Sequence, residues 1–281
     1  MSVTGKVRKK NEDNIFMNGM ILPEKHEDVS EFICSEREDS QRNLLAVLDG
    51  IGGTYYGEKA SYEAAKIMQQ IFRKADMNDR NGENFFTDLC NLMNEKICQL
   101  QEEYMTGMGT TMSALLFGKV AVTVCNLGDS PIFLVRDGQI NRIHEEHTNR
   151  KFLQEHKINR KLELTQCLGI PEEEITICPY IHSQKLRDGD WYLICSDGLT
   201  DMVSDEEILA IILSRREHGE KVKVLIDRAM EQGGRDNTTI ILINIRKEGE
   251  ENEYEMVKEN NNFGNIDNND DWGIECKGCK L

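Results

Sequence analysis

The stretch that decides the fold is a short apolar run that ends in an aspartate and a glycine-rich turn: Leu44-Leu45-Ala46-Val47-Leu48-Asp49-Gly50-Ile51-Gly52-Gly53. A continuous apolar run of this length, closed by turn residues, predicts a strand that is buried on both faces. Two helices are predicted next, over residues 58–75 and 85–105, because apolar residues recur there at spacings of three and four.

Beyond Thr110 the pattern changes to short runs rich in β-branched and apolar residues. We predict one antiparallel meander from the runs at 112–117, 120–127, 132–135 and 140–143, with Asp137-Gly138 as a hairpin turn. The remaining prediction consists of strands at 175–181, 191–195 and 238–245, and helices near 205–216 and 221–231.

The overall charge excludes several classes of partner. Acidic residues number 50 and basic residues 34, which gives a net charge of -16 and argues against binding to nucleic acid or to an anionic membrane. No apolar stretch approaches the roughly 20 residues of a membrane helix, and the first residues lack the apolar core of a signal peptide. We therefore expect a cytoplasmic protein. The odd number of cysteines, nine, argues against a disulfide framework.

The chain divides into one catalytic domain at 1–246, with a polar insertion at 17–43, and an acidic, Asn-rich tail at 247–281. Both polar segments are predicted to be mobile. The tail ends in Cys276-Lys277-Gly278-Cys279, and a single C-x-x-C pair cannot complete a four-ligand zinc site. Redox pairing, or zinc shared between chains, stays an alternative to an inert tail.

Aspartates stand at the ends of several predicted strands. Asp49, Asp129 and Asp197 each follow a strand, Asp236 precedes the last one, and each has a small residue beside it. Any one of them is an ordinary turn or capping residue. Together they predict a carboxylate cluster, which stays ionised only around cations. Oxygen ligands favour Mg²⁺ or Mn²⁺ over zinc, and such ions suit phosphate hydrolysis.

An early motif adds a positive group: Gly5-x-x-Arg8-x-x-Asn11-Glu12-Asp13. The planar fork of Arg8 can donate two hydrogen bonds to a phosphate. The alternative is a solvated residue in the basic run at 6–10. The six histidines show no metal-binding spacing, and we predict no catalytic role for them.

These motifs, in this order, resemble the metal-dependent protein phosphatases of type 2C, and most closely the bacterial members. The resemblance rests on the motif at Gly5 to Asp13, Val47 to Gly53, Gly57-Glu58-x-Ala60-Ser61, Met108-Gly109-Thr110-Thr111, Gly128-Asp129-Ser130, Ser196-Asp197-Gly198-Leu199-Thr200-Asp201, and Gly233-Gly234-x-Asp236-Asn237-Thr238-Thr239.

The resemblance implies an α+β fold, a four-layer α/β/β/α sandwich of two antiparallel sheets flanked by helices. It implies that Asp49 bridges two metals, that the Gly50 carbonyl joins one, and that Asp197 and Asp236 complete the other. Arg8 would bind the substrate phosphate. By the same resemblance Glu12 and Asp13 hold waters on the metals with Asn237 beside them, and Asp129 with Asp197 holds a third ion.

The implied function is hydrolysis of phosphoserine and phosphothreonine on proteins by a metal-activated water at a centre of two or three Mn²⁺ or Mg²⁺ ions. The chain departs from the family at Ile51, where animal relatives have a histidine, which leaves the proton donor open. Pro131 replaces the arginine of Gly-Asp-Ser-Arg, and the flap at 147–168 is short, so substrate choice is open.

The expected partners are phosphoprotein substrates and a cognate serine/threonine kinase in a bacterium, with the chain acting as a monomer. Two other functions compete with the phosphatase. One is a non-catalytic binding module of the same fold, for which loss of Asp49, Asp197 or Asp236 would be the mark. The other is a hydrolase of small phosphate esters, which would need a deep closed pocket.

Overall fold

The protein is seen in a computed structural model that describes residues 1–29, 43–52, 56–74, 81–160 and 162–246. The predicted tail at 247–281, with Cys276 and Cys279, lies outside the described residues, as do residues 30–42 of the predicted insertion. Among the helices in the described ranges, none combines the length and the hydrophobicity that a membrane span requires.

Strands and helices alternate in blocks along the described chain. The strands are β1 Ser2–Val3, β2 Asn14–Met17, β3 Met20–Ile21, β4 Asn43–Leu48, β5 Gly50–Ile51, β6 Gly109–Thr110, β7 Met112–Phe117, β8 Ala121–Leu127, β9 Ile132–Arg136, β10 Gln139–Arg142, β11 Tyr180–Lys185, β12 Trp191–Cys195 and β13 Thr238–Asn244. The helices are α1 Gly57–Lys74, α2 Gly82–Tyr104, α3 Arg150–Glu155, α4 Asp197–Thr200, α5 Asp205–Ile212 and α6 His218–Glu231.

Two antiparallel sheets face each other across a shared core. One has the strand order β1-β13-β12-β9-β10 and the other β11-β8-β7-β4-β2-β3, while β5 and β6 form a separate short pair. Helices α1 and α2 cover the outer face of the six-stranded sheet, and α5 and α6 cover the outer face of the five-stranded sheet. The predicted four-layer α/β/β/α sandwich is confirmed.

Strand β4 shows why a continuous apolar run is needed here. Its side chains alternate between two cores, as in any strand. Leu44, Ala46 and Leu48 lie under α1 and α2, whereas Leu45 and Val47 lie between the sheets. Full burial of one leucine stabilises the fold by about 1.5–3 kcal/mol, so a polar substitution on either face would be strongly destabilising.

The two long helices follow the predicted periodicity, with earlier starts. In α1, Ala60, Ala64 and Met68 are fully buried against the sheet. Helix α2 begins one turn before the predicted Phe85, because the side chain of Asn81 accepts a hydrogen bond from Glu83 N at 2.9 Å and caps the helix.

The predicted single meander is wrong, because the chain changes sheets within it. Strands β7 and β8 pair in the six-stranded sheet, but β9 and β10 belong to the five-stranded sheet. The crossover consists of residues 128–131, and Gly128 turns the chain with a φ of 122°. Buried runs of equal length can enter either sheet, so their hydrophobic pattern does not indicate which strands pair.

Two further predictions need correction. The strand predicted at 175–181 lies instead at Tyr180–Lys185, and Ile175 is exposed. Among the described residues this polar strand pairs with β8 alone, at the edge of the sheet, where apolar patterning is not required. The insertion predicted to be mobile contains β3 and, at Val29, two backbone hydrogen bonds with Ser2 of 3.2 and 2.8 Å. Residues 17–29 are therefore part of the folded domain.

Candidate active site

Five aspartates from distant parts of the chain meet at one edge of the sandwich, and we refer to them as the aspartate cluster: Asp13, Asp49, Asp129, Asp197 and Asp236. Asp13 precedes β2, Asp49 follows β4, Asp129 follows β8, Asp197 follows β12 and starts α4, and Asp236 precedes β13. The electrostatic field at Asp49 includes contributions from all four of the others. The structure thus brings the predicted aspartates together.

Burial and mutual repulsion make the ionised cluster unfavourable. Burial raises the pKa of Asp49 well above its usual range, and the neighbouring carboxylates add to the shift. Burial also raises the pKa of Asp197 to about 8, reinforced by Asp129 and Asp201. Such groups ionise at neutral pH only when positive charge is brought among them.

Asp13 is oriented so that one oxygen has no protein partner. Its Oδ2 accepts hydrogen bonds from Ser196 Oγ at 2.8 Å and from Thr239 Oγ1 at 2.6 Å. Its Oδ1 is buried and has no partner among the described residues. Burial raises the pKa of Asp13 to about 6 despite these two bonds. An orphaned buried oxygen of this kind suits a cation or a water that a cation holds.

The turn at Asp49 is fixed by hydrogen bonds and by the absence of a side chain at Gly50. Asp49 O accepts from Thr111 N at 2.8 Å and from Thr110 Oγ1 at 2.9 Å. A Cβ at Gly50 would lie 2.4 Å from the carbonyl oxygens of both Glu12 and Gly57. Only glycine therefore lets these three backbone segments approach one another beside the cluster.

Arg8 lies at the rim of the cluster and pairs with one of its members. Arg8 Nη2 donates to Asp236 Oδ2 at 2.5 Å, and the Arg8 side chain is 46% exposed. The charges of Glu12 and Asp49 also act on the guanidinium. The structure therefore places Arg8 next to the cluster with part of its surface open to solvent, where a phosphate could reach it.

Asn237 holds the loop that carries Arg8 and Glu12. Its Oδ1 accepts from Glu12 N at 2.8 Å, and its Nδ2 donates to the carbonyl oxygens of Thr4 and Lys10, both at 2.9 Å. Residues 4–12 are thereby fixed against the start of β13. Glu12 itself is half-buried, and burial, with the charge of Glu58, raises its pKa.

Asp129 sits on the crossover between the sheets, above a buried hydrogen-bond network. Ser130 O accepts from Ser113 Oγ at 2.5 Å and from Asn126 Nδ2 at 3.0 Å, and Ser130 Oγ lies 2.8 Å from Thr111 Oγ1. Burial raises the pKa of Asp129 to about 6. The network sets the direction in which Asp129 leaves the sheet.

His147 ties the crossover to the flap. Its Nδ1 accepts from Gly128 N at 3.2 Å, and its backbone N donates to Gly128 O at 2.9 Å. With Nδ1 as the acceptor, Nε2 carries the proton and donates to Cys178 O at 3.1 Å. The histidine therefore holds together the crossover, the start of the flap and the segment at Cys178.

Two further acidic residues of the site, Asp201 and Glu58, were not predicted from the sequence to have a role. Asp201 N donates to Asp197 O at 2.8 Å on α4, and the Asp201 charge raises the pKa of Asp197 further. The spacing of four residues between Asp197 and Asp201 was the available signal, because residues at that spacing share one face of a helix. Glu58 is 6% exposed; its Oε1 accepts from Lys10 Nζ at 2.7 Å, and its Oε2 has no partner among the described residues. No sequence pattern distinguishes Glu58 from a helix-start acid.

The carboxylate oxygens of the aspartate cluster suit hard divalent cations, although they are not arranged as a complete coordination shell. Within the described ranges, no three histidine, cysteine or acidic side chains form a ready group for a metal ion, and Asp236 is turned toward Arg8. The unpaired Oδ1 of Asp13 and the raised pKa values, caused first by burial, favour the entry of positive charge.

Comparison with known proteins points to one family. The sequence profile of protein phosphatase 2C matches residues 31–232. The serine/threonine phosphatase stp of Listeria welshimeri serovar 6b is 29% identical over 260 residues, which cover 87% of this chain and 95% of that protein.

Solved structures agree with this match. The crystal structure of the Mycobacterium tuberculosis serine/threonine phosphatase PstP/Ppp is 27% identical and has a TM-score of 0.71, over 88% of this chain and 97% of that one. The catalytic domain of serine/threonine protein phosphatase PstP in complex with two manganese ions has 27% identity and a TM-score of 0.69, over 88% and 96% of the two chains.

Proposed function

The chain belongs to the protein phosphatase 2C family, and from that premise we propose that it hydrolyses phosphoserine and phosphothreonine on proteins with bound Mn²⁺ or Mg²⁺. One observation carries the proposal. In the aspartate cluster, burial and neighbouring carboxylates raise the pKa of Asp49 and Asp197 directly beside the exposed guanidinium of Arg8. The relative whose structure holds two manganese ions supports the choice of metal.

The position of each residue suggests a separate role for it. Asp49, the Gly50 carbonyl, Asp197 and Asp236 would hold two ions, and Asp129 would hold a third with Asp197. Glu12 and Asp13 would orient waters, with Asn237 fixing the loop behind them. When bound, the cations supply a water of lowered pKa and offset the negative charge of the phosphoryl group.

Arg8 and Asp236 would change partners when the site fills. Arg8 donates to Asp236 Oδ2 in the structure, so a cation on Asp236 would compete for that carboxylate oxygen. The released guanidinium would then face the site with its donors free to bind a phosphate. Metal loading and phosphate recognition would thereby be linked through the Arg8–Asp236 ion pair.

A thiolate nucleophile has little support. Cys167, which feels the charge of Asp129, has its pKa raised to about 11 by burial, with Asp129 adding to the shift. Burial also raises the pKa of the Cys195 and Cys125 thiols. Because a thiol reacts as its thiolate, these cysteines are poorly suited to a covalent phosphoenzyme route. Direct attack by water fits the site better.

The test is phosphate release from a phosphothreonine peptide by metal-stripped protein to which Mn²⁺ or Mg²⁺ is returned. We expect metal-dependent turnover, little turnover of a phosphotyrosine peptide, and loss of nearly all activity in Asp197→Asn. No turnover by folded, metal-loaded protein would favour the non-catalytic binding module of the same fold. Turnover that survives Asp197→Asn would remove Asp197 from the mechanism.

The same proposal includes the setting in which the enzyme acts. We place the catalytic domain at 1–246 with the acidic tail at 247–281 outside it, and we expect a cytoplasmic monomer that opposes a cognate serine/threonine kinase. Kinship to bacterial serine/threonine phosphatases supports phosphoprotein substrates. Gel filtration with light scattering would test the monomer.

A further inference from the structure

The flap, residues 147–168, differs in charge from the rest of the molecule. It contains five basic residues against two acidic ones, a net charge of +3, within a chain of net charge -16. The remainder of the chain therefore carries -19. A protein this acidic repels acidic ligands in general, so a basic segment beside its site is a local exception.

The flap is a chain excursion whose two ends are joined to each other by hydrogen bonds. Thr148 and Leu164 form a β-bridge, Asn149 N donates to Glu163 O at 3.0 Å, and Glu163 N donates to Asn149 Oδ1 at 3.0 Å. Within the excursion α3 has one buried side chain, Leu153. The other side chains of this short helix project away from the core.

The basic side chains of the excursion are available to a ligand. Lys151, Lys157 and Arg160 are exposed, and in the described part of the chain none of the three forms an ion pair. Arg150, by contrast, donates to Glu146 Oε2 at 3.0 Å. Phe152 lies among them, 55% exposed, with its ring centroid 4.3 Å from that of His156.

Both ends of the flap adjoin the aspartate cluster. At its start, His147 N donates to Gly128 O at 2.9 Å, directly beside Asp129 in the chain. At its end, Leu168 N donates to Thr110 O at 2.9 Å, and Thr110 Oγ1 in turn donates to Asp49 O at 2.9 Å. A peptide whose phosphorylated residue reaches the cluster would therefore place its neighbouring residues near the flap.

We propose that the flap is a docking surface for the substrate, on which Lys151, Lys157 and Arg160 select phosphoproteins with glutamate or aspartate next to the phosphorylated residue. This inference rests on the proposed phosphatase function. Charge complementarity carries it, because these three cations are exposed, form no ion pair with any described residue, and belong to the excursion whose two ends adjoin the negatively charged aspartate cluster. Phe152 adds apolar surface for the peptide backbone to lie against.

The test compares two phosphothreonine peptides that differ only in carrying Glu or Gln at the flanking positions. With the metal-loaded, full-length chain, we expect kcat/KM to be about tenfold higher for the Glu peptide at low ionic strength, the equivalent of about 1.4 kcal/mol. The ratio should shrink in about 0.5 M salt. Combined Lys151→Gln, Lys157→Gln and Arg160→Gln should bring the ratio to about one.

A matched control removes the same charge far from the site. His218, at the start of α6, packs edge-to-face on Trp191, which is at the opposite end of β12 from Cys195 and the adjoining Asp197. Exposed basic residues surround this point, and the control variant combines Arg215→Gln, Arg216→Gln and Lys223→Gln. It should retain the tenfold ratio.

The possible outcomes distinguish failure of the docking proposal from failure of the phosphatase proposal. Equal kcat/KM for both peptides in the unmodified chain, or an undiminished ratio in the flap variant, would overturn the docking surface. If neither peptide is hydrolysed, the phosphatase proposal fails. The docking proposal is then tested by the ratio of the two peptides' Kd values, measured by fluorescence anisotropy. A Glu preference in Kd that only the flap variant loses supports it, and equal Kd values overturn it.

Discussion

Arg8 shows how one residue can serve two partners in turn. It is bound to Asp236 in the structure, yet close to half of its side chain is exposed. If Arg8 binds the substrate phosphate, Arg8→Ala should raise KM for a phosphopeptide about tenfold or more and change kcat less. Arg8→Lys should recover only part of the loss, because lysine cannot donate in a planar fork. Steady-state kinetics at saturating Mn²⁺ measure both values.

The contrary result is also informative. If Arg8→Ala chiefly weakens the activation by Mn²⁺ and leaves KM unchanged, Arg8 acts on the metal centre through Asp236 and does not bind substrate.

At this scale, aspartates at strand ends could be predicted because glycine and small neighbours mark sharp turns at Asp49, Asp129 and Asp197. The contacts that hold the cluster in place could not be predicted. Thr239 reaches Asp13 across 226 positions of sequence at 2.6 Å, and no local pattern encodes a hydrogen bond between such distant residues. Glu58 was missed for the same reason, since its partner Lys10 lies 48 positions away in the sequence.

At the scale of elements, the attachment of the flap to the domain depends on His147. His147→Ala removes the acceptor for Gly128 N and the donor to Cys178 O. We expect the unfolding free energy to fall by about 1–3 kcal/mol, and trypsin to cleave the basic excursion at 150–160 faster. Urea denaturation and limited proteolysis measure the two effects.

His182→Ala, on the exposed edge strand β11, is the matched control, and it should stay within about 0.5 kcal/mol of the unmodified chain. Equal behaviour of the two variants would mean that the flap is held in place without the His147 side chain.

Elements with both faces buried were predicted well, and elements at edges were not. β12 was predicted at its observed bounds because alternate residues from Tyr192 to Cys195 enter two cores. β11 was misplaced because an edge strand needs no apolar pattern. The change of sheet at Gly128 was missed because it depends on which strands pair, and pairing is decided by packing of the whole domain.

For the whole molecule, the aspartate cluster should make stability depend on pH in an unusual direction. In metal-stripped protein, the folded pKa is about 6 for Asp13 and Asp129 and about 8 for Asp197, in each case raised mainly by burial from an ordinary 3.8. The folded state therefore binds more protons than the unfolded state between pH 3.8 and 8. Its unfolding free energy should rise as pH falls through 8 and 6.

Urea midpoints at about pH 8.5 and 6.5 would measure this, with an expected gain of roughly 1–2 kcal/mol at the lower pH. Asp197→Asn should remove most of the difference, and Mn²⁺ should weaken or reverse it by favouring the ionised carboxylates. A metal-free protein that loses stability over the same interval would show that the cluster does not govern this pH dependence.

The pairing of β1 with β13 has a consequence for synthesis of the protein. All strands of the six-stranded sheet lie between residues 14 and 185, so this sheet can assemble while the chain is still being made. The segment that contains Ser2 and Arg8 must wait until residues 236–239 have left the ribosome, because Ser2 lies opposite Thr239 and Arg8 is bonded to Asp236. A nascent chain that lacks residues 236–239 cannot form these contacts, and we expect it to be unable to remove phosphate from the proteins around it.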